Sequence, residues 1–598
     1  MVQTLSEYVQ NIMKKYDLDC YIIFNSDEHL NEYIGPKDQR VLHISGFEGS
    51  NATIVISNEP CIITDSRYYI QAKAQSKFPL YKESLSSYIA LKNYKRMSFD
   101  TRTISFQKFK KLQEKLEEAG MSTEFIYTDF EYVIKSEEIS GHVINLEKYN
   151  FENFLKYPNS NELLEEESEQ NEKNLNNHPI NPEIRNYLNF LGFEDFSGNV
   201  TGSYYKDKIA KIRKIIKDRT LIVTELDTIG WILNLRGNDI EYNPVFYSYL
   251  VIDKESIILF CDKEINLDQV QVKSYKEFEK YLDTLENKAI TISSECNQYI
   301  YSKLKDVEVT KEIRTLQATK NDIELCGMAL AYFFDGLALT ELFAFIQNNN
   351  NFSEEDLAIK LDNIKRNFPG YVQESFETIS STGPNTAIVH HKAGKALVDK
   401  NAIYLIDSGS HYYFGTTDTT RTLFFGNELS EQAKHDYTLV LKGQINSIIN
   451  EYEKDDKYSY IDLISRSFLK EEDKDFGHST GHGVGHFLCV HEHPPSVHEK
   501  SEDTIQPNLV FSVEPGYYKE NEYGIRIENL VISRKIEDKI KMQNITLVPY
   551  QNAMVDEEML TEEEKEFYNN SNLNCRKFLE PFLSHEASEY LHQNSSEI

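Results

Sequence analysis

The stretch YLIDSGSHYYFGTTDTTRT, residues 404 to 422, places one aspartate at the end of an apolar run and a second in a threonine-rich run, with turn-forming residues between them. Two such runs separated by Gly and Ser predict a β-hairpin. Folded symmetrically about Tyr412 and Tyr413, the hairpin would set Asp407 directly opposite Asp418, with Cβ atoms about 5 Å apart on one face. A second pair repeats the pattern. VFSVEPGYY (Val510 to Tyr518) carries Glu514 and YGIRIENLVI (Tyr523 to Ile532) carries Glu528, and folding about Asn521 opposes the two glutamates. In the latter strand Arg526 shares the face of Glu528, while Ile525 and Ile527 fill the other.

Each acidic residue taken alone has a structural explanation. Asp407 could cap a turn, Asp418 could sit on a strand surface, and Glu528 could pair with Arg526. Together, four carboxylates on apolar strands exceed what one arginine can balance, and burying them requires protonation or bound cations. Two divalent ions about 3.5 to 4 Å apart, bridged by carboxylates, would neutralise them. Oxygen-rich ligation favours Mn²⁺ first, with Co²⁺ or Zn²⁺ tolerated when an imidazole joins the set.

The imidazole is sought in HSTGHGVGH, His478 to His486, where histidines recur every four residues as in helical zinc sites. Glycines at 481, 483 and 485 argue against a regular helix, so this spacing does not align the three rings.

The surrounding chain bounds the answer. At 598 residues it predicts several domains of about 150 residues each. With 40% hydrophobic and 12% aromatic residues it reads as globular. A formal charge of −32 and a pI near 5.0 disfavour nucleic acid and anionic membrane surfaces as partners. The polar N-terminus has Leu5, Val9, Ile12 and Tyr16 at helical spacing and lacks the apolar core of a secretory signal, and no stretch approaches the roughly 20 apolar residues of a membrane span. Seven cysteines without CxxC spacing point to reduced thiols in a cytoplasmic protein, against both a disulfide framework and a cysteine metal site.

The apolar runs CYIIF (Cys20 to Phe24), NATIVI (Asn51 to Ile56) and CIIT (Cys61 to Thr64) alternate with amphipathic segments, giving an α/β reading. A helix with Phe109, Leu112, Leu116 and Ala119 on one face should stop at Gly120. The acidic, asparagine-rich stretch NELLEEESEQNEKNLNNHPINP (Asn161 to Pro182) reads as a solvated insertion near residues 160–182. After it the opening pattern returns in YYKDKIAKIRKIIKD (Tyr204 to Asp218), LIVT and LDTIGWIL, with Asp227 in a context like that of Asp27. A duplicated α/β domain would account for this, with chance similarity of two α/β units as the alternative. From Thr319 the pattern becomes a long helix, with Thr319 and Asp322 in capping-box spacing, and a second helix opens at SEED (Ser353 to Asp356). The expected domains are therefore 1–198, 199–312 and 313–598.

The motifs LIDSGS, GTTDTTRT, HSTGHGVGHFLCVHEHP, SVEPGYY and GIRIEN, in this order, resemble the pita-bread metallopeptidases, and within them the three-domain aminopeptidase P (Xaa-Pro aminopeptidase) family. The segments DEHLNEYIGPKDQRVLHISGFEGSNATIVI, ITDSRYYIQA and LNLRGNDIEYNPVFYSY are similar to the first two domains of the same enzymes. The resemblance implies an α/β (α+β) protein with a C-terminal pita-bread catalytic domain behind two related creatinase-like domains. It implies Asp407, Asp418, His482, Glu514 and Glu528 as ligands of two divalent ions, with Asp418 and Glu528 bridging, and Glu514 as proton acceptor. His390, His478 and His491 would line the substrate site, His491 stabilising the oxyanion, and Arg526 joins the substrate-binding set. His390 rather than His391 is the match, because it directly follows Ile388 and Val389; His391 reads as incidental. Ser479 stands where the family usually has glycine.

The resemblance further implies peptides with proline at the second position as substrates, and a homodimer. Two alternatives differ in prediction. A prolidase of the same fold would cut Xaa-Pro dipeptides but typically lacks two front domains, and a non-catalytic pita-bread binding protein would have lost metal ligands that this chain retains.

Overall fold

The computed structural model describes residues 4–128, 134, 141–159 and 179–598; most of the acidic insertion, residues 160–178, lies outside the described residues. Contacts gather the chain into two units, residues 1–144 with 205–314 and residues 145–204 with 315–598.

The first unit contains two six-stranded sheets. In the first, β1 (Cys20–Phe24), β2 (Thr53–Ile56), β3 (Cys61–Ile63), β4 (Leu80–Tyr81), β5 (Arg96–Phe99) and β6 (Glu124–Phe125) are arranged β4-β3-β2-β1-β5-β6. In the second, β7 (Thr220–Val223), β8 (Tyr249–Ile252), β9 (Ile257–Phe260), β10 (Gln271–Lys273), β11 (Ala289–Ile292) and β12 (Asp306–Val309) are arranged β10-β9-β8-β7-β11-β12. Strand order is the same, and so is direction: two antiparallel pairs beside each central strand, then parallel pairs outward. The repeat read from sequence is thus a repeat of topology. It does not extend to Asp27 and Asp227, since Asp27 accepts from the amides of His29 and Asn31 whereas Asp227 pairs with Arg314.

The apolar run of β1 follows from burial on both faces, with Tyr21 and Ile23 entering one core and Cys20 and Ile22 the other. The helix Phe106–Glu118 buries Phe109, Leu112 and Leu116 and ends before Gly120 at φ +72°, while Ala119 is exposed.

The second unit is organised around helix α1 (Asp322–Asn348). Its cap is Asn321 in a capping box with Glu324, two residues later than Thr319, because the Thr319 amide and hydroxyl are already bonded to the Thr315 carbonyl at the end of the preceding helix. Contrary to the sequence expectation that no stretch approaches a membrane span, α1 is long and apolar enough to cross one; 89% of its most apolar window is buried within the protein, which explains its near-continuous hydrophobicity. Helix α2 (Glu354–Lys365) starts at the Ser353 and Asp356 capping box. The described residues 145–159 and 179–198, grouped by sequence with the first domain, cluster here instead. Helix Pro182–Phe190 places Tyr187 against Phe333 of α1 and Phe578, with ring centroids 5.6 and 5.2 Å apart.

Strands β13 (Ile379–Thr382), β14 (Tyr404–Ser408) and β15 (Thr419–Leu423) form a sheet in that order. β16 (Gly481–Gly483), β17 (Val510–Val513) and β20 (Asn529–Ile536) belong to a six-stranded sheet, and β18 (Gly516–Lys519) pairs with β19 (Tyr523–Arg526).

Candidate metal centre

β14 and β15 bring Asp407 and Asp418 to one site, in a register that differs from the symmetric fold. Asp407 faces Thr420 and Ser408 faces Thr419, while His411 pairs with Thr416 and Tyr412 with Gly415. The turn is therefore at Tyr413 and Phe414. The shift is two residues, so both aspartates stay on one face but meet diagonally. The cause is α1. Gly415 packs so closely on it that a Cβ would stand 3.0 Å from Ala331, and the Tyr332 hydroxyl bonds both the Asp418 amide and its carbonyl, at 2.8 and 2.7 Å.

The second pair follows the expected register. Lys519 pairs with Tyr523 and Gly516 with Arg526, and beyond a short gap Val513 pairs with Asn529 and Val510 with Ile532. One register runs through both ladders, and Glu514 and Glu528 occupy the gap between them, opposite each other. Asn521 turns the chain at φ 65°. The buried Arg421 guanidinium fixes this end, donating to the Glu528 carbonyl at 2.7 Å and the Asn529 side chain at 2.9 Å.

His482 lies on β16, an extended segment and not a helix. A Cβ on Gly481 would come 1.9 Å from the Ser512 carbonyl oxygen, so only glycine allows β16 to lie against β17. The His482 Nδ1 donates to the Gly483 carbonyl at 2.9 Å, which leaves Nε2 for a ligand. Nε2 stands 3.4 Å from Asp418 Oδ2 and 3.3 Å from Glu514 Oε1. The His491 ring is edge-on to His482, centroids 4.3 Å apart.

Ligand atoms of Asp407, Asp418 and Glu528 lie within 4.8 Å of one another, as do those of His482, Glu514 and Glu528, and those of Asp418, His482 and His491. The groups share Asp418, Glu528 and His482, so they form one centre. Its electrostatics call for cations. Burial, with Asp418 and Glu514 against the opposing Arg526, pushes Asp407 up to about 7. Burial and the neighbouring carboxylates raise Glu528 well above the usual carboxylate range, and Glu514 is raised by burial against the nearby His482. Burial disfavours a charged His482, yet its contacts with Asp418 and Glu514 raise it to about 9. Among the described residues, neither Asp407 Oδ1 nor Glu528 Oε1, both buried, has a hydrogen-bond partner. Two orphaned carboxylate oxygens within a convergent set of carboxylate and imidazole ligands fit a pair of divalent ions.

A chain of hydrogen bonds leads outward. Arg526 Nη2 donates to Asp407 Oδ2 at 2.8 Å, Arg526 Nη1 donates to the Tyr518 hydroxyl at 2.8 Å, and that hydroxyl lies 2.8 Å from His478 Nε2. Because His478 Nδ1 donates to the Ser479 carbonyl at 2.8 Å, a neutral His478 accepts at Nε2 a hydrogen bond from the Tyr518 hydroxyl. Burial, against Arg526, pushes Tyr518 up to about 12, so the phenol stays protonated. Arg466 holds the loop leading to His478, donating to the carbonyls of Phe476 and His478 at 2.8 and 2.7 Å.

The structure thus brings Asp407, Asp418, His482, Glu514, Glu528 and His491 together, and links His478 and Arg526 to them through Tyr518. His390 follows the 3-10 turn Gly383–Ala387 and is half-buried, and His486 is buried at 2% exposure. Tyr518, Tyr332, Arg421 and Arg466 were not singled out from sequence. Tyr518 stands within SVEPGYY, but only the folded ribbon shows which neighbour it serves.

Models of known families match along the chain: metallopeptidase family M24 over residues 327–535, its C-terminal region over 539–598, and the creatinase/prolidase N-terminal domain over 7–136 and again over 195–324. A protein of Sordaria macrospora named "Probable Xaa-Pro aminopeptidase P" is 34% identical, the alignment covering 95% of this chain and 94% of that one. A protein of the same name from Talaromyces stipitatus is 33% identical over 94% of this chain and 87% of its own. Among solved structures, X-prolyl aminopeptidase from Caenorhabditis elegans, described as a cytosolic enzyme with a di-nuclear active site, superposes with a TM-score of 0.83 at 27% identity, covering 97% of this chain and 95% of that one.

Proposed function

The chain belongs to the Xaa-Pro aminopeptidase P family, and from that premise we propose how its residues release the first residue of peptides with proline in second position. It is a metal-dependent aminopeptidase, with creatinase-like N-terminal domains and a pita-bread catalytic domain that takes two divalent ions. The observation that carries the residue assignment is the buried centre in which, among the described residues, Asp407 and Glu528 each keep an unpartnered oxygen.

We assign Asp407, Asp418, His482, Glu514 and Glu528 as the residues that would hold the two ions. When bound, the ions supply Lewis acidity toward a carbonyl oxygen and make a water acidic enough to act near neutral pH. Glu514, whose carboxyl is raised by burial, takes the proton of the attacking water. His491, beside His482, donates to the carbonyl oxygen of the first residue as negative charge develops there. His390 holds the substrate backbone, and His478, its ring held by the Ser479 carbonyl and the Tyr518 hydroxyl, orients the substrate. Arg526 has its guanidinium engaged by Asp407 and Tyr518, which supports a role in orienting these two groups alongside its expected part in substrate binding. The substrate amine lies on the Asp407 side, which limits cleavage to one residue.

Mn²⁺ is the proposed metal, on the hardness of a set dominated by carboxylate oxygens. A cytoplasmic location and a homodimer are proposed on the family resemblance, the former in keeping with the cytosolic nematode enzyme. Hydrolysis of Xaa-Pro-Yaa, Xaa-Pro and Xaa-Ala-Yaa peptides after chelation and titration with Mn²⁺, Co²⁺ and Zn²⁺ tests this reading. It predicts preference for Xaa-Pro-Yaa with Mn²⁺; preference for the dipeptide would make the enzyme a prolidase.

A further inference from the structure

Glu354 is the first residue of α2 and is fully buried. Its carboxylate reaches into the loop that carries His390. Oε1 accepts from the Thr382 amide at 2.9 Å and the Asn385 side chain at 2.9 Å, while Oε2 lies 2.8 Å from His391 Nε2 and accepts from the Gly394 amide at 3.4 Å. These four donors bracket residues 383–393, so one buried side chain clamps both ends of the loop. The α2 end is tied to the same loop by its backbone, Glu354 N to the Ala396 carbonyl and Glu355 N to the Gly394 carbonyl, both at 3.0 Å.

The helix itself does not need this carboxylate, because the Ser353 and Asp356 capping box already closes its N-terminus. Among the donors to Glu354 only His391 can bear a positive charge, and a buried carboxylate is costly without such a partner. From the other side, the Thr386 hydroxyl accepts from the Gly524 amide at 2.6 Å, on the strand that carries Arg526. The loop is therefore held between a buried acid and the ribbon of the metal centre.

We propose that Glu354 and His391 form a positioning pair for the known reaction, setting where the His390 imidazole stands to receive the substrate backbone. His391 is then not incidental. The inference rests on the reading of His390 as a substrate contact.

Steady-state kinetics on an Xaa-Pro-Yaa peptide, with bound metal and thermal midpoint measured on each protein, test it through Glu354→Gln, His391→Ala, His390→Ala and the Glu354→Gln/His390→Ala double variant. Glu354→Gln should raise KM about tenfold with a smaller change in kcat and unchanged metal stoichiometry, the signature of lost substrate binding. His391→Ala should move KM the same way, His391→Gln should restore part of the loss by returning a donor, and Glu354→Gln should add little once His390 is removed. Should Glu354→Gln fail to fold, the His391→Ala loss and its rescue carry the test. A KM raised by His390→Ala but unmoved by Glu354→Gln and His391→Ala would overturn the positioning role alone. A KM unmoved by His390→Ala would overturn the substrate role of His390, and the positioning role with it.

Discussion

Arg526 and Asp407 form a buried ion pair, Nη2 to Oδ2 at 2.8 Å, with the arginine side chain 2% and the aspartate side chain 12% exposed. The guanidinium reaches Asp407 on one side and Tyr518 on the other, so a single planar fork fixes a candidate ligand and the hydrogen-bonded route to His478. Removing one partner of a buried pair costs about 3–5 kcal/mol because the other charge is left uncompensated. Arg526→Ala should therefore destabilise the chelated protein by an amount of that order, measured by denaturant unfolding. Arg526→Lys should recover little activity, since an ammonium cannot span both partners.

Tyr518→Phe removes only the hydroxyl between Arg526 and His478. Leaving buried polar groups without a partner costs about 1–3 kcal/mol, or roughly 5- to 150-fold in kcat/KM if it is felt in the transition state. The metal content should not change. Wild-type kcat/KM in Tyr518→Phe would show that the phenol plays no part in the reaction.

Chelation should matter more as pH rises. Asp407, raised to about 7, holds more protons folded than unfolded between about pH 4 and 7, and Glu528 and Glu514 are shifted in the same direction, so without metal the folded protein loses stability as pH rises. His482, raised to about 9, contributes stability below its unfolded value of 6.5 that is lost as pH rises toward 9. Metal ions replace those protons. The thermal midpoint gap between metal-loaded and EDTA-treated protein should widen from pH 5 to pH 8, and a gap independent of pH would contradict this charge balance.

The sequence shows the Glu514 and Glu528 pairing because both strands continue beyond the pair in one register and Asn521 marks the turn. The Asp407 and Asp418 pair is displaced by two residues because the hairpin tip is shaped by α1, a non-local contact that strand patterning does not register. Face-sharing made Glu528 the natural partner for Arg526, but the partner is Asp407 on a distant strand, and Glu528 takes Thr420 at 2.9 Å instead. His391 looked incidental for the same reason: its partner Glu354 lies 37 residues away.

Gly481→Ala probes the approach of β16 to β17. The added Cβ would stand 1.9 Å from the Ser512 carbonyl, so backbone must move and His482 with it. Overpacking of this kind costs about 1–3 kcal/mol. Metal affinity by calorimetry should fall with it, whereas wild-type affinity would show that β16 tolerates the shift.

Asp418 and its four partners make one dinuclear centre, on which release of the first residue depends. The most direct measurement is release of the first residue from an Xaa-Pro-Yaa peptide by Asp418→Ala at saturating Mn²⁺, beside the wild-type protein. Wild type should release the residue and Asp418→Ala should release none above background; equal rates in the two would rule out Asp418 as a ligand of a catalytic centre.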